Sequence, residues 1–427
     1  MCQHVHLLAI EILMITVKNN LKFDIVSIQF LLLAFSSVSK IYFGSSLSGV
    51  FLDFLFVTSL AIGFYGAALY TEKIYIFYFG VLVNFISIFY FFVSYVPGFS
   101  NSVLAFRSTG LYMAAFFLPI LFNINNSVAK KIALYSIFVG VASSLWAIRQ
   151  YFYPFLVEII HSENSGGAAK FYGDEFQGGD DSFRPFGFFV TSVHLALYLN
   201  FAAVCCFFYK FEKSYKKYLC TIIIVFGIVF SMSRTSYIAC ILASVSLFFL
   251  RSISGGFFVN LLKSGFFVSV AILFGYIFAD DLLRARIDSM VSGTEISSFQ
   301  SRFLFWDAAW VAIEKNYFGY GTGAGSWGMK DVMGLGSDSG YLKIIIEFGL
   351  FFGMLLLALI FVVLLFGAKK IIAVDRFSGG DGLPLLFACF STVVANLVQM
   401  VTNQSLEAYP NNFIFWFSIC YLLNFKK

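Results

Sequence analysis

Three arginines stand where apolar stretches of this chain begin or end, and the chemistry they offer is anion binding. Arg184 lies in FRPFGFF, Arg234 in SMSRTS, and Arg302 opens SRFLFWDAAWVAIEKN. An arginine at a membrane boundary costs free energy unless it snorkels to water or meets an anion. Guanidinium is also the side chain best shaped for bidentate contact with phosphate. Any one of the three reads equally well as an anchor at the lipid head groups; together, each beside a helix end, they favour a shared anion. The acidic candidate is Asp338, followed by Ser339 in GSDSGYLKIIIEFGLFFG. A carboxylate just before an apolar stretch either caps the helix or, facing a substrate, accepts a proton.

Other chemistries find less support. The histidines (His4, His6, His161, His194) have no ligand spacing, which argues against a metal site. Of the cysteines, all but Cys2 fall inside apolar segments, which argues against a disulfide-stapled outer domain. The net charge of +5 is spread over loops and forms no basic stripe, so nucleic-acid binding is unsupported. Residues 323–328 formally match GxGxxG, but no strand precedes them and no nucleotide domain surrounds them. The glycines of NYFGYGTGAGSWG instead suit a sharp backbone turn beside a helix end or a ligand.

These residues must be positioned by membrane helices. The chain is 60% hydrophobic and 12% charged, with 58 Phe, far from the roughly 25% charge of soluble domains. A spanning helix needs about 20 apolar residues. Spans are expected near 25–43, 48–70, 74–93, 108–124, 131–150, 187–209, 214–232, 235–252, 256–279, 341–366, 382–403 and 408–425, giving an all-α polytopic protein of about 12 transmembrane helices. Lys18, Lys22, Lys73, Lys130, Lys131, Lys210, Lys213, Lys216, Lys217, Lys369 and Lys370 fall in one set of alternate loops, whereas the short loops of the other set hold Arg107 and Arg234. The positive-inside rule then puts both termini in the cytoplasm.

The expected organisation is a cytoplasmic or interfacial segment at 1–24, with residues 5–17 as an interfacial helix, and a transmembrane bundle at 25–150. An outer loop at 151–186 leads to helices at 187–279 that include the Arg234 hairpin. A large outer loop at 280–340 is followed by C-terminal helices at 341–427. Within that large loop, Phe299, Phe303, Trp306, Trp310 and Ile313 recur at spacings of three and four. That pattern predicts an amphipathic helix lying on the outer bilayer surface or on the outer ends of the spans. Lys343 and Glu347, four apart, are expected to neutralise each other. Asp53, Asn396, Gln399, Asn403 and Gln404 lie at or towards outer helix ends, where they can bond sugar hydroxyls or, more simply, other helices.

Four patterns, RPFGFFVTSVHLALYL, SRTSYIA, SRFLFWDAAWVAIEKNYFGYGTGAGSWG and DSGYLKIIIEFGLFFG, follow one another over roughly residues 184–353. In this order the chain resembles the O-antigen polymerase and O-antigen ligase superfamily of bacterial envelope glycosyltransferases. The resemblance implies a metal-independent, cofactor-free membrane glycosyltransferase fold acting on undecaprenyl-diphosphate-linked oligosaccharide at the outer face of the inner membrane. It implies that Arg234 and Arg302 hold the diphosphate, with Arg184 as a third basic position, and that a chain-length regulator and a flippase are partners. The ligase branch carries a His where this chain has Asp338, a departure that favours the polymerase branch. A transporter or flippase of the same lipid-linked sugars is the rival from another class. Such proteins place charges deep in their spans and show repeat symmetry, and neither stands out here.

Overall fold

The structure, a computed structural model, describes residues 26–32, 47–67, 74–155, 158, 184–252, 296–326, 329–335, 337–374, 382–407 and 410–425. Among these residues the regular structure is helical, without strands. After a helical segment at 26–32 come α1 (Leu47–Ala67), α2 (Ile74–Phe92) and α3 (Phe99–Met113). A 3-10 turn (Ala114–Phe117) and the short α4 (Leu118–Leu121) continue α3, and α5 (Asn126–Phe152) follows. Next are α6 (Ser192–Phe208), α7 (Ser214–Phe230), α8 (Arg234–Ser252), α9 (Ile296–Lys315) and the single turn α10 (Lys330–Met333). The chain ends with α11 (Gly340–Val374), α12 (Leu383–Gln399) and α13 (Asn411–Asn424). The expected interfacial helix at 5–17, the span at 256–279, most of loop 151–186 and the start of loop 280–340 lie outside the described residues.

Five of the described helices are long and apolar enough to cross a membrane: Ile74–Phe92, Phe99–Leu121, Asn126–Phe152, Arg234–Arg251 and Gly340–Ala373. This is a multi-pass membrane protein. The centre is formed by α6, α12 and α13, whose residues are buried almost throughout. These helices are shorter than a bilayer is thick, and they are wrapped by protein rather than lipid. Around them α2, α8 and the later part of α11 present apolar side chains outward, among them Phe85, Phe89, Leu242, Val245, Phe351 and Phe361. Small residues let the inner helices close up. A Cβ on Gly140 would lie 2.5 Å from the Cβ of Ala202, and one on Gly227 would lie 2.3 Å from Ser144 Oγ. Such contacts drive helix association where lipid is as apolar as leucine. Side-chain caps define two helix starts: Asn125 accepts from Val128 N–H (3.0 Å), and Thr191 from His194 N–H (3.4 Å).

Two helices depart from the expected spans. The span read at 108–124 begins at Phe99, so Arg107 sits inside α3 rather than in a loop. FSNSVLAF is too polar to read as apolar, yet Asn101 and Ser102, like Ser108 just after it, bond backward to carbonyls about one turn earlier. The span read at 341–366 is a longer element broken at Gly349, which has φ 73° and ψ 168°. As one rod, 35 residues would reach about 52 Å, well beyond a core about 30 Å thick. Residues 340–349 are almost wholly buried in protein, and large exposed side chains begin at Leu350. The lipid-facing rod therefore starts after the break.

Candidate functional site

The Arg234 turn is built by α7 stopping at Phe230 and α8 starting four residues later. Met232 takes a positive φ of 53°, and Ser233 and Ser236 share a hydrogen bond of 2.7 Å. The Tyr237 hydroxyl donates to Val229 O and staples the turn shut. Arg234 is half-buried in the first turn of α8, where unpaired N–H groups and the helix dipole favour a negative charge. The next residue, Thr235, accepts a hydrogen bond of 2.7 Å from Gln399 Nε2 in the last turn of α12.

Asp338 arrives at the same helix end. Ser339 Oγ accepts from Leu342 N–H (3.5 Å) and donates to Met400 O (3.2 Å), while Gly340 N–H donates to Met400 O (2.8 Å). The Tyr341 hydroxyl donates to Leu397 O (2.7 Å), and Gln404 Nε2 donates to Ser337 O and to Gly325 O. Ser339 thus caps α11, and Asp338 lies half-buried beside it. The Arg234 and Asp338 segments are attached to adjacent residues of α12.

Arg184 is half-buried at the entrance to the 184–191 segment. Phe186 and Gly187 N–H donate to Gln150 Oε1 (3.1 and 2.8 Å), and Phe188 N–H donates to Ser143 Oγ (3.1 Å). Gln150 is itself held by Glu158 (3.1 Å), a fully buried carboxylate that pairs with Arg149 at 2.5 Å. Arg149 lies 4.2 Å over Trp146 and 4.1 Å over Phe155. This end of α5 also carries Ile148 and Tyr151, which pack on Phe230 and Met232 of the Arg234 turn. Sequence reasoning missed Gln150, Arg149 and Glu158. An arginine and a glutamine in the last turn of a span look like ordinary flanking polarity.

Arg302 is carried by α9, and the helix lies where the periodicity places it. Its buried stripe is Trp306, Ala309 and Ile313, packed on Leu342, Ile345 and Ile346 of α11. Phe303 and Trp310 are exposed, so the expected apolar face is divided between two sides. Arg302 is half-buried and lies on the stripe that faces the first turns of α11. One turn on, the Trp306 indole N–H is buried without a hydrogen-bond partner among the described residues. Thus α9 joins the Asp338 segment through α11, while Arg184 joins the Arg234 turn through α5.

Between α9 and α11 the glycine-rich turn packs on backbone. Gly319, Gly321 and Gly323 all have positive φ, and a Cβ on Gly323 would lie 2.1 Å from Ala105 O. The turn serves a helix end. At Gly349 the α11 ladder lapses, and the freed carbonyls of Ile346 and Glu347 accept from Tyr320 N–H (2.8 Å) and Gly321 N–H (3.1 Å). Leu350 N–H returns the pairing to Tyr317 O (2.9 Å). Thr322 then ties the turn to α2 by donating from Oγ1 to Ser87 O (2.8 Å). Inside this knot the Lys343–Glu347 pair closes at 3.7 Å, with side chains 4% and 0% exposed. Thr109 Oγ1 donates to Glu347 Oε1 (3.4 Å).

Residues 219–358 match the O-antigen ligase family model. The match supports the O-antigen ligase and polymerase superfamily. It spans about a third of the chain, from α7 to just past the Gly349 break, and includes Arg234, Arg302 and Asp338 but not Arg184. No curated protein matches the chain. Members of the O-antigen ligase family are membrane glycosyltransferase-like enzymes, and the matched stretch holds three of the four candidate site residues, Arg234, Arg302 and Asp338.

Proposed function

We propose that this protein is a polysaccharide polymerase. It transfers a growing glycan from undecaprenyl diphosphate to the terminal sugar of an incoming lipid-linked repeat unit, at the outer face of the inner membrane. The observation that carries this reading is the attachment of the Arg234 and Asp338 segments to Gln399 and Met400, adjacent residues at the end of α12. A cation for the leaving group and a base for the attacking group are thereby held by one rigid element.

The chemistry follows from the charges. The bond between the anomeric carbon and the diphosphate oxygen breaks with its electron pair on the leaving oxygen. Negative charge grows there, and preorganised cations at a developing oxyanion are often the largest catalytic contribution. Arg234 and Arg302 take that charge, with Arg184 in support. The acceptor hydroxyl attacks the anomeric carbon and its proton passes to Asp338. Donor and acceptor both carry lipid tails, so both enter from the bilayer. The inward face of the bundle is the one expected to carry Lys130, Lys131, Lys369 and Lys370.

The test is reconstitution with the lipid-linked repeat unit and separation of products by gel. A ladder formed without nucleotide or lipid A core, and absent in Arg302→Ala, supports the polymerase. Transfer only when lipid A core is supplied assigns a ligase instead. Movement of the substrate across the bilayer without any joining of sugars assigns a transporter.

A further inference from the structure

The two-substrate reading above leaves one anion without a binding residue. Donor and acceptor each bring a lipid-linked diphosphate, and Arg184, Arg234 and Arg302 have been assigned to the donor. A second basic site is present on α3. Arg107 Nε pairs with Asp53 Oδ2 of α1 at 2.6 Å, and the Tyr112 hydroxyl donates to Asp53 Oδ1 at 2.5 Å. Both carboxylate oxygens are therefore engaged, and Asp53 acts to orient the guanidinium through its Nε edge.

This pair differs from the Lys343–Glu347 pair of α11. Lys343 and Glu347 are sealed, as a pair that only neutralises charge should be. The Arg107 side chain remains 39% exposed and that of Asp53 20%. The neighbouring exposed residues are apolar: Val103 and Leu104 one turn earlier on α3, and Phe54 and Val57 on α1. A half-open guanidinium ringed by aliphatic and aromatic side chains matches an amphiphile, with phosphate at the cation and a chain along the apolar flank. The depth agrees. Arg107 is about 12 Å along α3 from Phe99, and Asp53 about 9 Å along α1 from Leu47. Two residues beyond Arg107, Thr109 reaches Glu347 in the knot beside the candidate site.

We propose that Arg107, oriented by Asp53 and Tyr112, binds the phosphate of a membrane lipid at the side of the bundle, and that during polymerisation this is the diphosphate of the acceptor carrier. The assignment of the carrier rests on the proposed function; the phosphate chemistry does not. Arg107 lies outside the stretch that matches the O-antigen ligase family. The site is therefore a property of the N-terminal helices.

Native mass spectrometry of the purified, detergent-solubilised protein with undecaprenyl diphosphate tests this by counting bound equivalents. The wild type should hold two, Arg107→Gln one and Arg302→Gln one. The equivalent that Arg107→Gln retains reports that this variant is folded. Adding Asp53→Asn to Arg107→Gln should not restore the second equivalent. Two equivalents on Arg107→Gln, or restoration in the double variant, would show that Arg107 merely neutralises Asp53 and would overturn the proposal. A wild type that binds one equivalent, lost in Arg302→Gln and kept in Arg107→Gln, removes the second site and leaves the proposed function standing. A wild type that binds none removes both. Displacement of the Arg107-dependent equivalent by equimolar phosphatidylglycerol would assign the site to ordinary phospholipid and overturn the carrier assignment.

Discussion

Gly319 and Gly349 stand backbone to backbone: a Cβ on Gly319 would lie 2.4 Å from Gly349 N, and one on Gly349 would lie 2.6 Å from Phe318 C. Neither position has room for a side chain. The φ of 73° and ψ of 168° at Gly349 also fall in a region open essentially to glycine alone. Gly349→Ala is expected to cost at least about 1–3 kcal/mol from backbone conformation alone, with the clash added. A lowered melting temperature together with loss of the polymer ladder is the expected result. An alanine variant as stable and active as the wild type would mean that the break is not held by this contact.

Charge alone does not satisfy a diphosphate. Arg302→Lys keeps the positive charge but gives up the planar, two-pronged contact. Its rate of polymer formation should fall by about 10²–10³-fold, the usual effect of removing one donor to a developing oxyanion. The melting temperature should hardly move, since Arg302 is half-buried and outside the packed part of the stripe. Wild-type activity in Arg302→Lys would count against the assignment.

Gln399 and Thr235 should behave as a coupled pair. Gln399→Ala and Thr235→Val each remove the 2.7 Å bond that ties the Arg234 turn to α12. Each is expected to lose about 1 kcal/mol of stability and a larger share of turnover, because the turn is no longer aligned with the Asp338 segment. A double-mutant cycle reads the coupling: the double variant should be little worse than either single one. Fully additive losses would show that the bond does not align the site.

The sealed pair inside the knot makes a separate prediction. Lys343→Met leaves Glu347 facing Thr109 with its cation removed. Breaking one side of a buried pair costs about 3–5 kcal/mol, so this variant should unfold far more easily than the wild type. Adding Glu347→Gln removes the stranded charge and should recover much of the loss. Thermal unfolding of the single and double variants decides it, and an equally unstable double variant would assign the damage to packing.

Much of this architecture was legible in local patterns, and the failures have physical reasons. The α9 helix follows from the spacing of its aromatics, and the Lys343–Glu347 pair from an interval of four on one face. The divided face of α9 was not legible, because a helix with apolar residues on two sides does not announce which side is packed. The Gly349 break hides in IIIEFGLFFG, where hydropathy is high on both sides and glycine is common in membrane helices. Arg107 was misplaced because polar residues near it are satisfied by carbonyls of their own helix. Gln150 accepts from backbone 36 and 37 residues away in sequence, and Glu158 holds it from eight residues away. No periodicity encodes such a contact.

The stitching of α11 to Met400 also fixes when this protein can reach its final packing during its own synthesis. Residues 340–348 leave the ribosome before the α12 end that receives Gly340, Ser339 and Tyr341. The last helix then reaches back to the first part of the chain, with Asn412 donating to Ser108 O (3.1 Å) and Asn424 to Pro119 O (2.8 Å). Until α12 has been inserted, the segment bearing Asp338 lacks the Met400 and Leu397 carbonyls that receive it. A nascent chain halted before α12 would carry Arg184, Arg234 and Arg302 in the membrane as an inert precursor.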